Sequence, residues 1–403
     1  MKGFLQKAGF FILVLLLTLT AEYAGGTELE EVKEELEQQQ RLIEELREKI
    51  EELEKIERLK AIRTKEEEEI GPQFGRNLGA FGDINFLTDS RERKNPTFSI
   101  GSLGLYTSAS YRERLNFLFE MIVYAHNNRS GVNLERLWVS YTFSDTFILR
   151  AGKFHTALGR WNKTYHHARH LFLTVDRPFF LKFENTGGIM PVHIVGMELA
   201  GSKELSYGRF KYWIEVGNGP GFRRDRHKSI FGGGSYKLAP NNLFDVNHSK
   251  QVAMRIYLEP ASIEGLGIGV FGTNFKVEDT KHTITVNQGI YGIDLRYVIA
   301  DVELLGEFFY LTNGSADANA WYLQLSKPVG MFIPYARVEI LDGKDSDPYL
   351  TNLSGGRDRT QYIAGVKYIL DLLHSSLKLQ YRYDSLKGDK VYNIVEAQWA
   401  FHF

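Results

Sequence analysis

VEAQWAFHF, residues 395–403, are the last nine residues of the chain. Taken at a period of two, Val395, Ala397, Trp399, Phe401 and Phe403 share one face and Glu396, Gln398, Ala400 and His402 the other, as in a β-strand with a single apolar face. Two kinds of fold use such a strand. A soluble sandwich turns the apolar face into a dry interior, whereas a transmembrane barrel turns it outward to lipid. The stretch fits both, so the rest of the chain has to decide.

The 403 residues include 38 glycines and no cysteine. Mean hydropathy is -0.27, which argues against a bundle of membrane-spanning helices. Residues 1–26 carry Lys2 and Lys7, then the uncharged run FFILVLLLTLTA from Phe10 to Ala21, then small residues at Ala24, Gly25 and Gly26. This is the pattern of a secretory signal peptide. The absence of cysteine excludes a disulfide framework and a lipid-modified N-terminal cysteine.

Residues 27–70 hold 17 acidic and 9 basic side chains, against 32 acidic and 38 basic in residues 71–403. In the acidic segment Leu29, Val32, Leu36, Gln39, Ile43, Leu46, Ile50 and Leu53 follow spacings of three and four, a heptad seam. The expectation is a periplasmic coiled-coil stalk. So short a helix draws most of its stability from partner helices, which implies a homo-oligomer; a single solvated helix is the alternative. The seam loses phase after Leu53, and Gly71-Pro72 marks the domain boundary.

From residue 80 onward, segments of about ten residues alternate between turn signals. Sixteen strands are expected, near 80–87, 98–108, 113–125, 132–143, 146–154, 191–202, 208–218, 249–259, 264–276, 288–300, 301–312, 318–327, 330–341, 360–370, 375–385 and 391–403. The gaps between them alternate in length. Long connections such as 155–190, 219–248 and 342–359 fall on one rim, and short ones such as 144–145 and 328–329 on the other, with strands 288–300 and 301–312 abutting. Transmembrane barrels with an even strand number sort their loops in this way, and a soluble sandwich has no reason to.

Within the strands the charged and apolar sets do not mix. Gln251, Arg255 and Glu259 oppose Val252, Met254, Ile256 and Leu258; Lys378, Gln380 and Arg382 oppose Leu377, Leu379 and Tyr381. An Arg or Lys facing the lipid midplane costs about 2 to 4 kcal/mol, so the charged face is assigned inward. The inward basic set is Arg136, Arg150, Arg209, Lys211, Arg255, Arg296, Arg337, Lys367, Lys378 and Arg382, nearly balanced by acids including Glu120, Glu198, Glu215, Asp294, Glu307, Glu339 and Glu396.

The terminal Trp399, Phe401 and Phe403 are similar to the signal by which the barrel assembly machinery recognises outer-membrane porins. A stalk followed by sixteen strands resembles in layout the phosphate-selective porins O and P and their relatives, and ILRAGKFHTALG, Ile148 to Gly159, is similar to their strand entering the constriction loop. The resemblance implies an all-β transmembrane barrel in the outer membrane, a homotrimer, and a third loop folded into the channel. It weakens at the wall, where those porins carry an arginine-rich path and this chain a near balance.

The third loop, 155–190, supplies Arg160, Lys163, His166, His167, Arg169, His170, Arg177 and Lys182 against few acids. Folded inward it would form a positive constriction favouring anions, with imidazoles that gain charge as pH falls. Loop 219–248 adds RRDRHK, Arg223 to Lys228, which alone does not support nucleic-acid binding. No metal site is assigned to the histidines, because arginine stands among them and no cysteine is present. The function expected is passive diffusion of small hydrophilic solutes with modest anion preference, without cofactor and without enzymatic chemistry. The alternatives are an anchor that ties membrane lipids to the cell wall through the stalk and, for lack of a GxSxG or HExxH motif, more remotely a hydrolase.

Overall fold

The computed structural model describes Lys49 and residues 77–403, except 91–94, 127–128, 166–167, 182–187, 225–235, 240–242, 246–248, 280, 282–284, 345, 348, 351–357, 371–373 and 389. The chain divides into a unit of Met1–Lys65 and a unit of Glu66–Phe403. The expected signal peptide and coiled-coil stalk lie outside the described residues, Lys49 apart.

Sixteen long antiparallel strands form the wall. The first seven are Asn77–Asp89 (β1), Thr97–Tyr111 (β2), Leu115–His126 (β3), Arg129–Ser144 (β4), Phe147–His155 (β5), His193–Leu205 (β6) and Gly208–Asn218 (β7). A short hairpin follows, Gly221–Arg224 (β8) and Tyr236–Ala239 (β9). The wall continues with Lys250–Pro260 (β10), Leu266–Asp279 (β11), Thr285–Ile299 (β12), Val302–Asn313 (β13), Ala316–Ser326 (β14), Phe332–Gly343 (β15), Arg359–Leu370 (β16), Ser375–Leu386 (β17) and Lys390–His402 (β18). Each wall strand pairs with its neighbour, β7 with β10 across the hairpin and β18 with β1 at the seam. Phe81 stands opposite His402 and Asn85 opposite Gln398, and Ala80 and Phe403 exchange two backbone hydrogen bonds of 2.7 and 2.9 Å. The barrel is closed, so neither the first nor the last strand has an open edge.

Exposure settles the choice left open by the last nine residues. Val252, Ile293 and Leu379 are 53%, 55% and 55% exposed, whereas Arg255, Asp294 and Gln380 on the opposite faces are at most 3% exposed. The molecule is apolar outside and charged inside. That inversion costs heavily in water and is what a hydrocarbon surround demands. Trp399 and Phe403 lie exposed on the outer face, and Phe401 stacks on Phe403 at 5.8 Å.

All sixteen expected strands are present, but the rims differ from the sequence reading in three respects. The second and sixth connections of the long-loop rim shrink to residues 127–128 and 314–315, because weakly alternating residues such as Ser130, Gly131, Ala316 and Asp317 pair all the same. Their backbone groups gain partners whatever their side chains prefer. The abutting strands at 300 and 301 are separated by a turn in which Ala300 and Asp301 take φ of 47° and 64°, the left-handed pair of a two-residue hairpin without its usual glycine. Loop 219–248 contains the β8–β9 hairpin, whose Gly221 and Phe222 run parallel to Glu278 and Asp279 at the end of β11.

Ile293 lies near the middle of β12 on the outer face, so Ile293→Arg in bilayer-folded protein is expected to cost about 2 to 4 kcal/mol. Reversible denaturant titration in vesicles measures it, and a cost below about 0.5 kcal/mol would contradict the outward assignment.

Candidate functional site

The described residues of the segment 156–192, between β5 and β6, fold into the lumen. Thr156 ties the legs of the loop, its N–H donating to Val192 O at 2.8 Å and its hydroxyl to Pro191 O at 2.6 Å. Asn162 Nδ2 braces the same neck through Thr156 O at 2.9 Å and Val192 O at 3.0 Å. At Gly159 φ is 80°, and a Cβ there would meet Glu307 Oε2 at 2.1 Å, so glycine allows the close approach to the wall. A one-turn helix, Arg160–Thr164 (α1), begins at that point.

Backbone groups removed from water need partners, and the wall provides them. Glu215 accepts from the N–H of Ala157 at 2.9 Å, Glu307 from Trp161 at 2.5 Å and Glu339 from Phe179 at 2.6 Å. Arg337 donates to Asp176 O and to Thr174 Oγ1, each at 2.8 Å. Lys367 Nζ donates to His170 O at 2.8 Å, and Lys378 Nζ to Arg169 O at 2.5 Å and Thr174 O at 3.1 Å. Much of the polar inner face is thus an interface for the loop rather than a surface for water.

An apolar contact completes the docking. Leu158, Trp161, Phe172, Phe180, Ile189 and Met190 are buried against Phe271, Phe309, Leu311, Ala320 and Tyr322 on β11, β13 and β14. Trp161 meets Tyr322 edge-on at 5.8 Å, and Phe180 meets Phe309 likewise at 5.8 Å. Phe222 of β8 joins the cluster, with Tyr349 and Leu350 from residues 344–358. Asp347 fixes that segment, one carboxylate oxygen accepting the N–H groups of Tyr349 and Leu350 at 2.8 Å and the other Asn313 Nδ2 at 2.7 Å.

Of the basic residues expected at the constriction, Arg160 donates to Tyr257 Oη at 3.0 Å, Lys163 pairs with Glu198 and, at 3.3 Å, Glu215, and Arg169 lies 3.4 Å from Asp176 and 3.7 Å from Asp83. Arg177 is buried. His166, His167 and Lys182 lie outside the described residues. His170 is pressed between Phe81 and His402; burial, then His402, Lys367 and Lys378, hold its pKa well below the ordinary imidazole value. Acid therefore adds charge at His170 less readily than its ordinary pKa implies.

The wall is a set of ion pairs: Arg136–Glu120, Arg150–Glu198, Arg255–Asp294 at 2.7 Å, Arg296–Glu303 at 2.9 Å, Arg337–Glu339 at 2.6 Å and Arg382–Glu396 at 3.1 Å. Arg209 and Lys211 share Glu259 at 3.7 and 3.3 Å. Exposure within the pairs is unequal. The side chains of Arg136, Arg150, Lys163 and Arg169 keep 16%, 20%, 14% and 28% exposure, whereas the wall acids Glu120, Glu198 and Asp83 keep at most 3%; Asp176, the partner of Arg169 within the loop, keeps 19%. Along β1 and β3–β6 the cation reaches over its carboxylate toward the open side.

Sequence reading missed Asp83, Tyr257, Asp347 and the loop-holding role of Glu215, Glu307 and Glu339. One signal was available, since Phe271, Phe275, Phe309 and Leu311 stand apolar on the face that is charged in the adjacent strands.

No family model and no curated protein matches the chain. Solved structures do. OmpF of Salmonella typhi, in complex with daunomycin, has a TM-score of 0.55 at 12% identity, covering 81% of this chain and 97% of that one. An anion-selective porin from Comamonas acidovorans scores 0.54 at 14% identity, covering 82% and 99%. The outer membrane channel DcaP of Acinetobacter baumannii scores 0.51 at 11%, covering 81% and 97%. At such identities the likeness is one of fold: a closed, sixteen-stranded porin barrel.

Glu307→Ala would leave the Trp161 N–H and the Tyr322 hydroxyl without their acceptor. A loss of about 1 to 3 kcal/mol in loop docking is expected, with the barrel intact. Limited proteolysis of the folded variant should cut within 156–192 faster than in the native chain, while the heat-modifiable electrophoretic mobility of the barrel persists.

Proposed function

We propose that the chain is an outer-membrane porin through which small hydrophilic solutes diffuse passively, with a modest preference for anions that extends to phosphate-like ones. The inequality within the ion pairs carries this reading. Charges on the wall nearly cancel in number, yet the partners left open to solvent along β1 and β3–β6 are Arg136, Arg150, Lys163 and Arg169, and a permeant ion meets them before the carboxylates behind. The fold shared with an anion-selective porin is consistent with it. So is the inward loop, which leaves Arg255 of β10, Arg337 of β15 and Lys378 and Arg382 of β17 covered and Arg136 of β4 and Arg150 of β5 partly open.

The remaining parts follow the same reading. Residues 1–26 serve as the export signal, 27–70 as a periplasmic coiled coil, and three copies assemble as a trimer. Trp399, Phe401 and Phe403 guide insertion by the barrel assembly machinery. A second reading, a structural anchor linked to the cell wall through the stalk, is favoured by the apolar cluster that the third loop, β8 and residues 344–358 build inside the wall.

Reversal potential in planar bilayers under a KCl gradient separates these readings. The native chain should conduct with an anion preference. Arg150→Gln should lower the anion-to-cation permeability ratio about two- to fivefold, the opposite effects on anion and cation of one unit charge about 8 to 16 Å from the ion at a water-like dielectric. Glu198→Gln should raise it. A folded barrel without conductance would establish the anchor, and a ratio indifferent to both substitutions would refute selection by these pairs.

A further inference from the structure

The tip of the third loop makes a contact that conduction does not require. The His170 ring stacks on His402 with centroids 4.8 Å apart and planes 14° from parallel, and Phe81 packs 5.6 Å from it. His402 is the last residue of β18, beside the seam with β1. Its Nε2 lies 3.0 Å from the Tyr106 hydroxyl of β2, with the rings nearly parallel at 6.3 Å. His374, in the turn before β17, brings a third imidazole within 6.4 Å of His402.

Among the described residues, the surroundings of this stack are poor in charge that could accept another proton. Lys367 and Lys378 stand directly opposite each other on β16 and β17, an unfavourable like-charge pair held by the loop carbonyls they cap. Asp83 of β1 and Asp176 of the loop are engaged by Arg169, and Glu396 of β18 by Arg382. The Nδ1 of His170 is buried with no hydrogen-bond partner among the described residues. A proton gained by the stack therefore faces a second imidazole and two ammonium groups.

We propose that the tip of the third loop is a latch released by protons: neutral His170, stacked on His402, docks it on the seam between β1 and β18, and protonation of His170 undocks it. The direction follows from linkage. Burial first, then His402, Lys367 and Lys378, lower the pKa of docked His170 well below its ordinary 6.5. A base depressed in this way favours docking above its undocked pKa, and that contribution is lost as pH falls from there through the docked value. Release thus begins below about pH 6.5, before carboxylates with ordinary pKa near 4 begin to protonate. The latch rests on docking alone and stands whether or not the lumen conducts.

Because the chain has no cysteine, Ala168→Cys gives a single spin-label site beside the stack in the full-length protein. Electron paramagnetic resonance of the labelled protein in phosphatidylcholine vesicles at pH 7.5 and 5.5 tests the latch. The mobile component should at least double at pH 5.5, reversibly, and should lose its pH dependence when His170→Gln and His402→Gln are combined. His170→Gln alone leaves β18 unaltered and should weaken the response, which guards against misfolding of the double variant. A mobile component equal at the two pH values, or a rise that persists in a folded double variant, would overturn the proposal.

Discussion

A peptide segment that enters a barrel leaves bulk water behind, and each N–H and C=O it buries must be met from the wall. In this chain Glu215, Glu307 and Glu339 meet the N–H groups of Ala157, Trp161 and Phe179, while Arg337, Lys367 and Lys378 meet carbonyls. The position of the loop, the burial of its aromatic residues and the placement of the open cations all depend on that exchange. A wall of apolar inward residues would have held the side chains of Phe180 or Met190 but not the backbone between them. The mixture of charged and apolar positions on β11 to β15 therefore reads as the complement of one folded segment, polar where it offers backbone and apolar where it offers rings.

The ion pairs follow a related economy. A buried carboxylate without a partner is costly, so Glu120 and Glu198 lie beneath guanidinium groups of the neighbouring strands, and Asp294 of β12 beneath that of Arg255, which reaches across β11 from β10. Arg and Lys are longer than the acids and reach past them, stacking on aromatic faces on the way, as Arg150 does 4.5 Å above Trp138. Side-chain length thus converts a nearly neutral composition into a surface that presents positive charge first. Counting charges along strands misses this, because the count weights a buried group and an open one equally.

The wall was legible because its signal is strictly periodic: lipid on one side and charge on the other repeat every second residue over sixteen segments. The outward position of Trp399 and the inward position of His402 follow from the alternation of the last strand alone. The turn at Ala300 and Asp301 was not legible, since neither residue announces a left-handed backbone. The interior of the third loop was only half legible. Its basic residues were identifiable, but their partners Asp83, Asp176 and Glu198 lie on β1, within the loop itself and on β6, and only the closed fold brings them into reach. Near-balance along the strands hinted at pairing, and the apolar Phe271 and Phe309 on an otherwise charged face hinted at something docked inside. Neither hint specifies a geometry.

The seam between β1 and β18 carries an implication for the order of events during assembly. Gln398 of the final strand donates both to Asn85 of the first, at 2.8 Å, and to Val175 O of the loop, at 3.2 Å, the latter bond spanning 223 residues of sequence. Arg169 reaches Asp83 on one side of the seam, and His170 reaches His402 on the other. The receptor for the loop tip does not exist until the last strand has found the first. Docking of the tip is therefore a late event, its chain-closure entropy already met by barrel closure.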